Sequence, residues 1–199
     1  MEKIYLATHN KHKVQEFGQI LTDFEVVADG APDVEENAPD FAGNALVKVR
    51  SIASRHPGEW CMADDSGLEV AALGGEPGVR SARYSEDESP AAAEADRPRL
   101  NNEKLLAKLS GVANRAANFT CVIALVDPQG REHLAEGRCF GRIAEAPSGA
   151  GGFGYDPLFV PDGHDRTFAE LPPAVKNAES HRARAVAEAV KIIAGQQAR

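Results

Sequence analysis

Two acidic pairs and a few well-spaced lysines are the residues in this chain best equipped for chemistry. Asp64-Asp65-Ser66-Gly67 follows the apolar run Trp60 to Ala63. Carboxylates at the end of a buried strand are costly unless a cation or water satisfies them. Magnesium takes such oxygens and keeps several waters, one of which can become a nucleophile. An acidic turn before Gly67 is the plain alternative, and the segment alone leaves the two readings level. Glu35-Glu36 could complete a metal site with Asp65, although its spacing favours solvated charge. Asn44 and Lys48 lie one helical turn apart, within reach of a phosphate, but a surface lysine is the commoner case.

Three further segments suit a ligand. Thr8-His9-Asn10-Lys11-His12-Lys13 falls where a strand gives way to a helix. N–H groups at a helix N-terminus beside lysines make an anion site, and a capped helix with solvated lysines is the plainer reading. Lys176 with Ser180-His181-Arg182 gathers donors at the positive end of a helix, as an ordinary polar cap also does. The stretch Ser148 to Pro157 holds Gly149, Gly151, Gly152 and Gly154, then Phe153, Tyr155 and Asp156. Glycines there allow positive φ and close approach, so the loop can present rings and an acid to a planar ligand such as a nucleobase.

The elements that must position these residues follow from periodicity. Lys3 to Thr8 reads as a buried strand, and Asn10 caps a helix with apolar Val14, Phe17, Ile20 and Leu21. Glu25 to Ala28 is a second strand, and residues 29 to 40 form an acidic loop. A helix runs from about Phe41 to His56, stopped by Pro57-Gly58. Trp60 to Ala63 and Leu68 to Leu73 are extended, and residues 85 to 98 form an exposed segment before a helix at about Leu100 to Leu109. Phe119 to Val126 and Glu132 to Phe140 flank the hairpin signal Asp127-Pro128-Gln129-Gly130. A strand at Leu158 to Val160 precedes a last helix with Ala183, Val186, Ala187, Val190, Ile193 and Ala194 as its apolar stripe. This order predicts an α/β fold with a mixed sheet, one domain over 1–199.

Totals set outer bounds. The chain has 199 residues, 43% hydrophobic, with net charge −8. No apolar run is long enough to span a membrane, and the N-terminus turns polar too early for a signal peptide, so a cytoplasmic location is expected. The acidic balance disfavours nucleic acid as a partner. Cys61, Cys121 and Cys139 are widely spaced in apolar stretches and read as buried thiols rather than a zinc or redox site.

Six motifs occur in a fixed order: Thr8-x-Asn10-x-x-Lys13, Ala63-Asp64-Asp65-Ser66-Gly67-Leu68, Leu73-Gly74-Gly75-x-Pro77-Gly78, Ser81-Ala82-Arg83-Tyr84, Gly152-Phe153-Gly154-Tyr155-Asp156-Pro157 and Ser180-His181-Arg182. Together they resemble the inosine triphosphate pyrophosphatase family, from Lys3 to about Ile193. The resemblance implies an elongated two-lobed α/β fold around a long mixed β-sheet, with the nucleotide cleft between the lobes, and a homodimer. It implies magnesium-dependent hydrolysis of noncanonical purine nucleoside triphosphates (ITP, dITP, XTP) to the monophosphate and pyrophosphate, which cleanses the nucleotide pool.

By position, the resemblance makes Thr8 to Lys13 the triphosphate-binding turn and Lys48 a second phosphate contact. Asp65 becomes general base and metal ligand, Glu36 a second metal acid, and Ser66 a substrate contact. Phe153, Gly154, Tyr155, Asp156, Lys176, His181 and Arg182 become the base-binding set. On this reading Phe153 stacks on the purine and Asp156 fixes its edge. Donors from His181 and Arg182 would accept a 6-oxo group and leave adenine's amine unpaired. Two departures, Gly43 where relatives often carry an acid and Asn37-Ala38 after the acidic pair, leave Glu35 and Glu36 as alternatives. A Maf-like pyrophosphatase for other modified nucleotides and a non-catalytic nucleotide-binding protein are the rival readings.

Overall fold

The computed structural model describes residues 2–30 and 34–197, without the side chains of His12 and Gln197. Strand β1 (Glu2–Ala7) leads through helix α1 (Lys11–Ile20) to β2 (Phe24–Asp29), and α2 (Phe41–Ala53) leads to β3 (Trp60–Val70). Then come α3 (Arg97–Lys108), β4 (Ala116–Val126), β5 (Glu132–Ile143), β6 (Phe159–Pro161), α4 (Pro173–Glu179) and α5 (His181–Gln197). The sheet order is β2-β1-β3-β4-β5-β6. β1 runs parallel to β2 and β3, whereas β6 is antiparallel to β5, so the sheet is mixed as expected.

The chain divides into two compact units. The first comprises residues 1–65, 121–137 and 181–199, the second 66–120 and 138–180.

In the first unit, strand alternation sorts the core onto two faces. Ile4, Leu6, Trp60, Met62, Ile123 and Leu125 pack with Phe17 of α1 and Ala185, Val186, Ala189 and Ile193 of α5. Their neighbours Ala7, Cys61, Ala63, Ala124 and Val126 pack with Ala45, Val49 and Ile52 of α2. Successive side chains on a strand point to opposite faces, which is why one apolar run feeds two helical layers. In the second unit Leu68, Val70, Leu105, Phe119, Phe159 and Phe168 build a separate core.

Several expected boundaries move. β3 is one strand of eleven residues, so Asp64 to Gly67 lies inside it and is not a turn. The flanking apolar residues are buried on both sides of the acids, and the strand continues because partners on each face satisfy the carboxylates. α2 ends at Ala53, before Pro57, where Arg55 and His56 form a tight turn and reach Asp29. The segment 85–98 is not merely exposed: Asn101 receives the N–H and hydroxyl of buried Ser85, and Arg97 donates to the Ser89 and Ala92 carbonyls. The buried stripe of α5 runs through Ala185, Ala189 and Ile193, leaving Ala187 and Ala194 exposed. Residues 31–33 of the expected acidic loop lie outside the described residues.

Candidate active site

The two adjacent acids of β3 serve different surroundings, as alternation requires. Asp64 shares the face of Trp60 and Met62, against α1 and α5. Its Oδ1 lies 2.9 Å from Lys13 Nζ, and its Oδ2 lies 3.7 Å from Arg182 Nε. The Arg182 guanidinium also pairs with Glu16, three residues after Lys13 on the same side of α1. Burial alone pushes the Asp64 carboxyl up. The charges of Lys13, Arg182 and Lys48 outweigh it and hold the group far below the ordinary carboxylate range. Asp64 is thus an anionic partner shared by Lys13 of α1 and Arg182 of α5.

Asp65 shares the other face with Cys61 and Ala63, against α2. Its Oδ1 lies 3.2 Å from Lys48 Nζ, and its Oδ2 receives Asn44 Nδ2 at 3.1 Å. Lys48 Nζ is also 3.1 Å from Glu36 Oε2. Here burial wins: the Asp65 carboxyl is raised, although Lys48, Lys13 and Asn44 pull the other way and Glu36 adds to the rise. Two neighbouring carboxyls with opposite shifts are what a division between charge brace and proton acceptor requires. Burial pushes the Lys48 ammonium down, but Asp65, Asp64 and Glu36 together hold it above its ordinary value.

Local sequence explains how α2 delivers these groups. Asp40 caps the helix by accepting the Gly43 N–H at 2.8 Å. Asn44 and Lys48 then fall one turn apart, and Asn44 Oδ1 receives the Ala38 N–H, tying the acidic loop to the helix. Glu35 instead accepts from Asn37, so Glu36 is the acid that shares Lys48 with Asp65.

At the start of α1, Thr8 Oγ1 receives the Asn10 N–H at 3.1 Å and Asn10 Oδ1 receives the Lys13 N–H at 3.4 Å. His9, Asn10 and Lys11 are exposed, and the His12 side chain lies outside the described residues. Ser66, half-buried, follows Asp65 in β3. His181 is buried as the first residue of α5.

The second unit holds the rest of the base-binding set, Phe153 to Asp156 and Lys176, whereas His181 and Arg182 belong to the first. Asp156 Oδ2 accepts both the Phe153 N–H at 2.8 Å and Lys176 Nζ at 2.6 Å, and that ammonium sits 4.3 Å from the Phe153 ring centroid. Gly152 has φ +69°, and a Cβ there would meet Asp156 Oδ2 at 2.0 Å, so only glycine closes this turn. Tyr155 turns inward to the core, and its hydroxyl donates to the Ser81 carbonyl at 2.8 Å. Of the two rings in the glycine loop, Phe153 alone is placed to face a ligand.

Sequence reasoning assigned Arg182 to the base-binding set. Its guanidinium is buried against Glu16 and Asp64, so the geometry joins it to the acid cluster. Glu16 was missed, although its position one turn beyond Lys13 is a readable sign. Among the described residues, no three His, Cys, Asp or Glu side chains converge as a metal cage, and no helix is long and apolar enough to cross a membrane. The three cysteines are buried thiols, with Cys61 pushed up to about 11 and Cys121 to about 12 by burial, and are poor nucleophiles.

A mixed sheet with a buried lysine–carboxylate pair in the first unit and a glycine-built aromatic loop in the second defines an α/β protein of two units. The model of the Ham1 family matches residues 4–192, and the chain belongs to that family. It is 45% identical over 199 residues to the dITP/XTP pyrophosphatase of Leifsonia xyli, covering 97% of this chain and 96% of the relative. It is 46% identical over 199 residues to that of Desulforamulus reducens, covering 96% and 95%. The solved Ham1 protein of Staphylococcus aureus superposes with TM-score 0.83 at 37% identity, over 98% of this chain and 100% of that one. A Mycobacterium abscessus structure described as a nucleoside-triphosphatase/dITP/XTP pyrophosphatase gives TM-score 0.72 at 44% identity, over 93% and 97%.

Proposed function

We propose that this chain hydrolyses noncanonical purine nucleoside triphosphates, dITP, XTP and ITP, to the monophosphate and pyrophosphate. The observation that carries the reading is the convergence of Glu36 and Asp65 on one cation, Lys48 Nζ, with Asn44 fixing the second Asp65 oxygen. Near full-length identity to relatives named for this activity supports it.

Asp65 orients the attacking water and accepts its proton, a task that suits a carboxyl raised above the ordinary range. Lys13 and Lys48 bind the phosphates and offset the charge on the leaving pyrophosphate. Two carboxylates that already share a cation fit magnesium, which needs only one or two from the protein when phosphates supply the rest. Glu36 and Asp65 would hold that ion, which supplies charge neutralisation at the phosphates. Phe153 stacks on the base, backed by Lys176, while Asp156 fixes the loop. His181, at the start of α5, reads the 6-oxo group, while the Arg182 guanidinium is held by Glu16 and Asp64. The protein acts as a cytoplasmic homodimer.

One assay tests the reading: pyrophosphate release from XTP, dITP, ITP, GTP and ATP with and without magnesium. Turnover should favour the first three by at least about tenfold in kcat/KM and require the metal. A preference for ATP or for a modified pyrimidine nucleotide overturns it, as does tight XTP binding without turnover.

A further inference from the structure

Two consecutive asparagines of α3 make opposite use of their amides. Asn101 is fully engaged: Nδ2 donates to the Ser81 and Ala82 carbonyls, and Oδ1 receives the Ser85 N–H and hydroxyl. Asn102 makes one bond. Its Nδ2 donates to the Gly154 carbonyl at 3.1 Å, and its buried Oδ1 has no partner among the described residues. Turning the amide over would set its oxygen against the Gly154 oxygen, so the carbonyl fixes the orientation. A half-buried amide whose buried oxygen is unsatisfied is a poor device for stability alone, and an aliphatic residue would fill the place without an orphaned acceptor. The single bond must matter for what it holds.

What it holds is the tip of the glycine loop. Gly154 adopts φ +60° with no atom within 4 Å of where a Cβ would stand. It is glycine for its backbone conformation, not for close packing, and such a residue needs an external tether to stay in one orientation. Phe153 is thereby fixed from both sides. Asp156 takes its N–H, and Asn102 takes the carbonyl of the next residue. Tyr155 and Asn101 meet at the same Ser81 carbonyl, so one end of the loop and one face of α3 share an anchor.

We propose that Asn102 is a positioning residue for base recognition, holding the Gly154 carbonyl so that the Phe153 ring is presented in the binding orientation. The proposal rests on the reading that Phe153 stacks on the purine. Asn102 touches no substrate; it acts through the loop.

The test compares Asn102→Ala, Asn102→Asp, Asn101→Ala and Phe153→Ala in the full chain. Asn102→Ala should raise KM for dITP about three- to tenfold, the loss expected of one hydrogen bond. Its kcat should change by less than about twofold. Asn102→Asp, which faces the carbonyl with a second acceptor, should raise KM further and serves if the alanine variant is unstable. Inhibition by inosine monophosphate, which carries the base, should weaken in parallel. Inhibition by pyrophosphate, which lacks it, should not. Asn101→Ala should instead lower Tm with a smaller change in KM. If Phe153→Ala raises KM and folded Asn102→Ala and Asn102→Asp do not, the positioning role is overturned. Equal weakening by both inhibitors also overturns it, since a general loosening would do that. If Phe153→Ala leaves KM unmoved, the stacking reading fails and takes the Asn102 role with it.

Discussion

Asp64 and Asp65 are one peptide bond apart and do separate jobs. Asp64 is the centre of a buried charge cluster with Lys13, Arg182 and Glu16, whereas Asp65 belongs to Lys48, Asn44 and Glu36. Neutralising one partner of a buried cluster strands the others, at about 3–5 kcal/mol. Asp64→Asn should therefore lower the free energy of urea unfolding by about that amount. Asp65→Asn keeps an acceptor for Asn44 but removes the proposed base, so pyrophosphate release should fall by about two to four orders of magnitude with a smaller stability change. Measuring unfolding and turnover for both variants checks the division; equal losses of both properties in the two would sink it. The acids themselves were legible in the sequence. Their separation was hidden by placing the pair at the end of a strand, with a turn as an equal alternative, because the alternation that decides which face each carboxylate meets holds only if the strand continues through them. Glu36 over Glu35, and the inward turn of Tyr155, depended on packing that no local pattern encodes.

Elements with strong local signals match expectation. The Asn10 cap, the 127–130 turn and the last helix rest on contacts within a few residues, whereas the first strands, which pair across 22 to 56 residues, were legible from their apolar runs. α4 was not foreseen: seven residues are too few for periodicity to register. The β4–β5 turn shows how much one side chain can organise. The fully buried Asp127 carboxylate accepts from Gln129 N at 3.0 Å, Arg131 N at 2.8 Å, Arg131 Nε at 2.7 Å and His133 Nε2 at 2.9 Å. Burial pushes this group up, yet His133 and Arg131 bring it down from 3.8 to about 2. A depressed carboxyl adds stability that is present above its unfolded pKa and is lost as pH falls through the folded value. Asp127→Asn should accordingly cost about 1.5–3 kcal/mol at neutral pH. The gap to the parent should narrow from about pH 4 toward pH 2 in urea titrations. A gap that stays constant, or widens with acid, contradicts the assignment.

At the scale of the whole molecule, the proposed substrate poses an electrostatic problem. The chain carries net charge −8, and a nucleoside triphosphate is itself strongly negative. Long-range attraction cannot gather such a ligand; the overall field repels it. Cations that could bind phosphate are instead already paired, half-buried Lys13 with Asp64 and buried Lys48 with Asp65 and Glu36. Their effect is short-ranged because each ammonium is offset by its own carboxylate partners, and salt, which screens exposed charges beyond about 8 Å, weakens such partly buried pairs much less. Two outcomes follow for a substrate held this way. Raising salt from about 0.05 to 0.2 M should leave KM for XTP within about twofold at fixed free magnesium, since screening weakens the general repulsion as well as any attraction. Duplex DNA, whose binding needs several exposed cations releasing counterions together, should show no measurable association across the same range. Titrating XTP turnover and DNA binding against salt tests both. A KM that climbs steeply with salt would mean that exposed lysines such as Lys11 gather the phosphates, and the work would shift from the buried pairs to the rim of α1.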